Sequence, residues 1–267
     1  MRKLKAYDFE YDGKTLSDFG MIICRFGSKG LDTVSNGSKI TFNTVATSGG
    51  LKHELTSSAY DECLETTIQI CKNSCMSDIS EISSSEFRKL TKWLNRRKFL
   101  KLKMLCDGYM DLYFEASFNI SRIEIDGRLY GLELDIITNR PHALREPKTI
   151  NIKNANKNGV YCISDTSHEE GHIYPYMEIV ANESGDLSIH NAIEDRETYI
   201  ANCTAGEIIT MDYPVIQSSI SSHNIQNDFN WNFFRVANTS DNNRNDLTIS
   251  MPCTIKIVYS PIVKVGL

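Results

Sequence analysis

No run of this chain approaches the roughly 18 uncharged apolar residues that a membrane-spanning helix requires, which argues against a helical membrane protein. The basic opening, MRKLKAYDFEYDGK, has no apolar stretch behind it and does not read as a secretory signal. There is no Walker A loop, no G-x-G-x-x-G and no G-x-S-x-G, so the phosphate-cradling and nucleophile-elbow signatures are missing. A basic excess is missing too. The formal net charge is -5, whereas a general nucleic-acid binder announces itself by a positive balance.

What is there is ordinary globular material. Hydrophobic residues make up 41% and charged residues 24%, enough to bury a core and too apolar for wholesale disorder. A length of 267 residues fits one large domain or two modest ones. The eight cysteines include Cys63, Cys71 and Cys75, the last two at C-x3-C spacing. No second close Cys or His pair follows at finger or ribbon spacing, so neither a metal nor a disulfide framework is expected. Reduced thiols are the expectation for a soluble protein made inside the cell.

The dominant pattern has a period of two. Phe9 and Tyr11 lead into Asp12-Gly13, a dipeptide suited to a tight hairpin turn because glycine accepts positive φ. Leu16 to Ile23 follows and ends in a short apolar strand. Asp126-Gly127 makes a second such turn, after Ile120 to Ile125 and before Leu132, Leu134 and Ile136. One apolar and one polar face point to antiparallel sheet packed on one side.

A single helix interrupts the strands. Ser83 and Glu86 form a capping box, and Phe87, Leu90, Trp93 and Leu94 recur at helical spacing. Its other face carries Arg88, Lys89, Lys92 and Arg96, continuing into Arg97, Lys98, Lys101 and Lys103. A solvated face, not a nucleic-acid groove, is the expected use of that run.

Composition shifts over 141–160, where two prolines precede the Asn-Lys stretch Asn151 to Asn158 and then Gly159, residues suited to a linker or a surface hairpin. The boundary between two domains, 1–145 and 146–267, is placed there. The second half reads as about seven short strands, including Phe229 to Val236, separated by turn signals, which suggests a β-sandwich or jelly roll. The chain as a whole is expected to be mainly β, with one helix in an N-terminal sandwich-like domain.

Two local motifs bear on chemistry. His168-Glu169-Glu170-Gly171-His172 matches H-E-x-x-H, in which two imidazoles one helical turn apart hold zinc and the glutamate activates water. Gly171 and Pro175 are wrong for that helix, so a polar loop before a strand is expected and a zinc peptidase through His168, Glu169 and His172 is only a remote alternative. In Asn227 to Arg235, the residues Phe229, Trp231 and Phe233 alternate with polar ones. The main expectation is that they pack into the core. The alternative is a sugar-stacking Trp231 whose neighbours Asn230 and Asn232 bond the hydroxyls. No catalytic, metal or cofactor-binding residues are otherwise proposed, and no enzymatic activity is expected.

Taken in order, the segments resemble the distal tail proteins of long-tailed phages and prophages of Gram-positive bacteria. Phe9-Glu10-Tyr11-Asp12-Gly13-Lys14 with Ser17-Asp18-Phe19-Gly20-Met21-Ile22-Ile23 looks like the N-terminal signature, and Arg88 to Leu102 like the helix and the strand after it. Tyr130-Gly131-Leu132-Glu133-Leu134 and Asn139-Arg140-Pro141 resemble the close of the first domain. Tyr174 to Ile179, Asn232 to Arg235 and Thr254 to Pro261 resemble segments of the second. Ser57 to Asp78 has no counterpart, and the insertion with which some relatives carry a carbohydrate-binding module is missing.

The resemblance implies a ring-forming N-terminal domain and a galectin-like C-terminal sandwich. It also implies a sixfold ring at the virion tail tip, assembled in the bacterial host cytoplasm and lacking cofactors. The implied partners are other copies of the chain, the tail tube protein, a tail-tip lysin or fibre protein and a receptor-binding protein. DNA would pass through the lumen without specific binding, with no membrane contact.

Overall fold

The computed structural model describes residues 8–26, 38–47, 49–50, 52–75, 80–239 and 242–265; the basic opening before Asp8 lies outside them, as does the end of the Ser57 to Asp78 stretch. The chain divides into two compact units, Met1–Arg145 with Val263–Leu267, and Glu146–Ile262. Residues 263–265, expected with the second domain, group with the first unit, where Val263 is buried in the core.

The first unit is built on one large antiparallel sheet. Among the described residues its order is Lys14–Thr15, Phe9–Tyr11, Leu100–Met104, Leu112–Ile125, Arg128–Thr138, Glu65–Lys72 and Met21–Cys24. Both expected tight turns form. Asp12 and Gly13 have φ of 52° and 73°, and Asp126 and Gly127 have 49° and 75°, the left-handed pair that a two-residue hairpin needs. Leu132, Leu134 and Ile136 point into the core while Glu133 and Asp135 do not, as their alternation requires. Full burial ends at Phe118 in the partner strand, and Ile120 and Leu129 still pack, partly buried, against the core while Asn119 and Ser121 are exposed. Beyond a bulge at Ile123/Glu124 the hairpin leaves Ile125 exposed, so the expected one-sided packing does not reach the turn.

The helix runs from Ser84 to Leu94, with the reciprocal cap formed as the sequence demands. The Ser83 hydroxyl accepts from the Glu86 amide at 3.3 Å, and the Glu86 carboxylate accepts from the Ser83 amide at 2.8 Å. Leu90, Trp93 and Leu94 are buried, each such side chain contributing roughly 1.5–3 kcal/mol on transfer from water. Trp93 stacks on Phe19 at 4.4 Å and on Phe9 at 5.7 Å. Arg88, Lys89, Lys92, Arg97, Lys98 and Lys101 are exposed, a solvated basic face.

The second unit is a sandwich. One sheet has the order Lys148–Asn154, Cys253–Tyr259, Tyr176–Ala181, Ile208–Asp212, Val215–Ser218, and the other Gly159–Ser164, Arg244–Ile249, Gly185–Asn191, Arg196–Cys203. Their inner faces share one core that includes Met177, Ile179, Leu187, Ile189, Ile200, Leu247, Ile249, Ile255 and Ile257. Of the two uses suggested for the Asn-rich stretch, a linker is not found over its first part: Lys148–Asn154 pairs with Cys253–Tyr259, and the chain then turns through 155–158, with Asn158 at φ 58°, into the next strand. A buried amide knits the sandwich edge: Asn245 accepts from the Ala237 amide and from Asn191, both at 2.8 Å, and donates to the Ala237 carbonyl at 2.9 Å.

Candidate functional site

The segment read as a strand from Phe229 to Val236 is not one. Only Val236–Asn238 pairs, with Gly171–Ile173. Upstream, Ile225–Asp228 makes one helical turn, Phe229 bridges to Ile200, and the backbone then reverses at Trp231 with φ 59°. That reversal breaks the alternation on which the core expectation rested. Phe229, Phe233 and Phe234 are buried, whereas Trp231 is 55% exposed. A bulky residue in the left-handed region costs about 1–3 kcal/mol and persists only when its surroundings impose it.

Those surroundings are visible. The Trp231 indole N–H donates to the Gln226 carbonyl at 3.2 Å. Asn230 is fixed on both sides: its amide nitrogen donates to the Glu197 carbonyl at 3.0 Å and its oxygen accepts from the Asn232 backbone at 3.1 Å. Asn230 is therefore a brace for the loop. Beneath it, the fully buried carboxylate of Glu207 accepts from the Thr204 amide at 2.8 Å and from Ser218 and His223 at 2.5 Å each. The other nitrogen of His223 lies 3.3 Å from Asp228 in the helical turn before Trp231. Burial pushes the Glu207 carboxyl up, but the bonds from Ser218, the Thr204 amide and His223 outweigh it and hold it below the ordinary range.

This group is a clasp and not a nucleophile with its base. Ser218 Oγ is bonded to Glu207 and to the Ile220 carbonyl, with no bond to the imidazole.

Residues distant in sequence extend the aromatic surface. Tyr213, 54% exposed, stands edge-on to Phe233 at 5.3 Å and stacks on Tyr174 at 4.1 Å. Tyr174 in turn meets the His172 ring at 5.2 Å. Burial, aided by the Arg235 guanidinium, pushes the His172 imidazole down from its usual value. Arg235 itself is paired with Glu194 at 2.8 Å.

The H-E-x-x-H match is accounted for by this geometry. His168, Glu169 and Glu170 form a bend, Gly171 has φ 125°, and His172 begins a short strand, so no helical turn aligns the two imidazoles. Among the described residues no three His, Cys, Asp or Glu side chains are grouped to hold a metal. Cys63, Cys71 and Cys75 are free thiols. Cys71 instead neighbours Cys24 on the adjoining strand, and burial with that contact pushes the Cys24 thiol up to about 12.

A second feature lies in the first unit, inside a stretch for which no role was read from sequence. Ile40–Ala46 and His53–Tyr60 pair as a separate two-stranded sheet in which nearly every residue is exposed. Phe42 is 62% exposed, and Val45 and Leu55 58% each. A lone hairpin is marginally stable in water, and apolar side chains so displayed mark a contact surface.

The described strands thus make two antiparallel β units, the first of which carries a separate two-stranded sheet with exposed apolar side chains. Residues 4–140 match the family described as phage tail protein N-terminal domain, and residues 142–259 the phage tail C-terminal domain. The chain belongs to this phage tail protein family. Among solved structures it is similar to the crystal structure of Dit (gp 19.1) of phage SPP1, described as a paradigm of the hub adsorption apparatus in phages infecting Gram-positive bacteria. The two share 13% identity over 96% of this chain and 99% of that one, with a TM-score of 0.60. At that identity the likeness is one of fold, and it is the fold that the ordered sequence motifs imply. No curated protein sequence matches the chain.

Proposed function

We propose that this chain is the hub of a phage tail tip, forming a closed ring that joins the tail tube to the tip, fibre or receptor-binding proteins. The paired strands Ile40–Ala46 and His53–Tyr60 carry the reading. Their exposed Phe42, Val45 and Leu55 belong against protein, and the nearest protein in a ring is the next copy. The ring is sixfold in the family that the sequence resembles, and it leaves a lumen for DNA. A net charge of -5 suits passage, because a basic wall would hold the duplex electrostatically. The protein's place is then the virion tail tip, after assembly in the host cytoplasm, and its role is architectural rather than catalytic. The second unit supplies a galectin-like sandwich.

Light scattering on the eluting protein and negative-stain imaging test this. A ring of defined copy number is expected, with Phe42→Ser shifting mass toward the single chain. A strictly monomeric parent at high concentration overturns the reading.

A further inference from the structure

We propose that Trp231 and Tyr213 form a carbohydrate-stacking site on the second unit, taking pyranose rings of a surface glycan. This goes beyond the ring and does not depend on it. The two tryptophans of the chain make the contrast. Trp93 is buried with parallel rings on it, Phe19 at 14° and Phe9 at 13° between planes. Trp231 meets Phe229 and Phe233 only at 50° and 63°, and among the described residues no ring lies parallel to it. Its indole face is open.

That openness is enforced. The left-handed backbone, the indole bond to Gln226, the Asn230 brace and the clasp under Asp228 together hold one hydrophobic ring out of a core that accepts Phe229 and Phe233 on either side. Backbone strain sustained by several independent bonds marks a position kept for contact. Tyr213 presents a second exposed ring, one face covered by Tyr174 and its edge linked to Trp231 through Phe233.

The chemistry around the rings selects the ligand. The side-chain amides of Asn227 and Asn232 are exposed and bonded to no other described residue, so each offers both a donor and an acceptor. A flat apolar ring beside free amides complements a sugar, which shows an apolar C–H face and a rim of hydroxyls. A protein hot spot is ringed instead by residues that exclude water, and the exposed amide of Asn232, next to Trp231 in the chain, does the opposite. Asn230, spent on the loop, is a positioning residue.

The test uses the full chain and a panel of hexasaccharides of glucose and of N-acetylglucosamine, read by tryptophan emission and acrylamide quenching. Trp93 is shielded, so the accessible signal belongs to Trp231. A saturable change with at least one saccharide is expected, with quenching reduced in the complex. Trp231→Ala should lower affinity at least about fivefold and Asn232→Ala should weaken it measurably, while Trp93→Phe retains binding. Trp231→Asn, whose side chain tolerates left-handed backbone, separates lost binding from lost folding. No saturable change with any member at millimolar concentration overturns the proposal. So does binding that survives Trp231→Ala, or a Trp231→Ala variant that instead loses a protein partner of the tail.

Discussion

The Trp93 indole N–H donates to the Tyr11 carbonyl at 2.9 Å, spanning 82 residues of sequence. One bond thus fastens the helix to the first hairpin, and the Tyr11 hydroxyl continues the link to the Ala116 carbonyl at 3.2 Å. Two of the sequence segments that resemble a known family meet at this point. Trp93→Phe keeps most of the ring stacking but removes the donor from a buried carbonyl, a loss of about 1–3 kcal/mol. Thermal unfolding should show a lower midpoint for the first unit. An unchanged midpoint would mean that the stacking alone holds the helix.

The helix cap has a pH signature. The Ser83 hydroxyl, the Ser83 amide and Lys72 together hold the Glu86 carboxyl down from 4.5 to about 2. A carboxyl depressed in the folded state contributes stability above its unfolded value, and that contribution is lost as pH falls toward 2. Urea midpoints measured between pH 5 and pH 2.5 should therefore fall less steeply in Glu86→Gln than in the parent. Ser83→Ala should cost about 1 kcal/mol near neutrality.

Breaking the Glu207 clasp is the severest single change expected in the second unit. Glu207→Ala leaves His223 and Ser218 without the carboxylate they share, and removing one partner from a buried pair costs about 3–5 kcal/mol. Because the Glu207 carboxyl lies below its usual range when folded, its contribution is present above that range and disappears on acidification. Denaturant unfolding followed at neutral pH and near pH 4 checks both statements. Equal stability of parent and variant at neutral pH would reduce the clasp to a passive contact.

Thiol reactivity should divide by burial. Cys75 and Cys162 are exposed, whereas burial pushes Cys203 up to about 11 and Cys253 up to about 12, well away from the reactive thiolate. Iodoacetamide added to the native protein should label Cys75 and Cys162 first and spare Cys203 and Cys253 until denaturant is added. Peptide mass spectrometry reads the order. Early labelling of Cys253 would contradict its place in the core.

Local signals were legible wherever the chemistry is local. Asp12-Gly13, Asp126-Gly127 and the Ser83–Glu86 box each fix a few neighbouring dihedrals, and each forms as its residues dictate. The alternation of Leu132, Leu134 and Ile136 was equally readable, since one sheet face is buried there.

Trp231 was not placed correctly. Its reversal depends on Phe229 pairing with Ile200 and on a clasp joining Glu207, Ser218, His223 and Asp228, contacts that no window of sequence contains. Tyr213 escaped notice for the same reason, reaching the site from a different turn. The stretch from Asn151 to Gly159 suits a linker or a surface hairpin by composition, and its first residues form an edge strand because such a strand carries polar residues on its open side. The strands Ile40–Ala46 and His53–Tyr60 offer no pattern to read, because neither face of the pair is buried in the single chain.

Val263 carries a genetic consequence. The polypeptide leaves the first unit at Arg145 and re-enters it after Ile262, so the sandwich is an insertion rather than an appendage. Recombination that trades this module between two tail genes must therefore cut twice, once on each side of it. A single crossover would graft on a foreign terminal strand as well, and the recipient would inherit a mismatched residue at the base of its own fold.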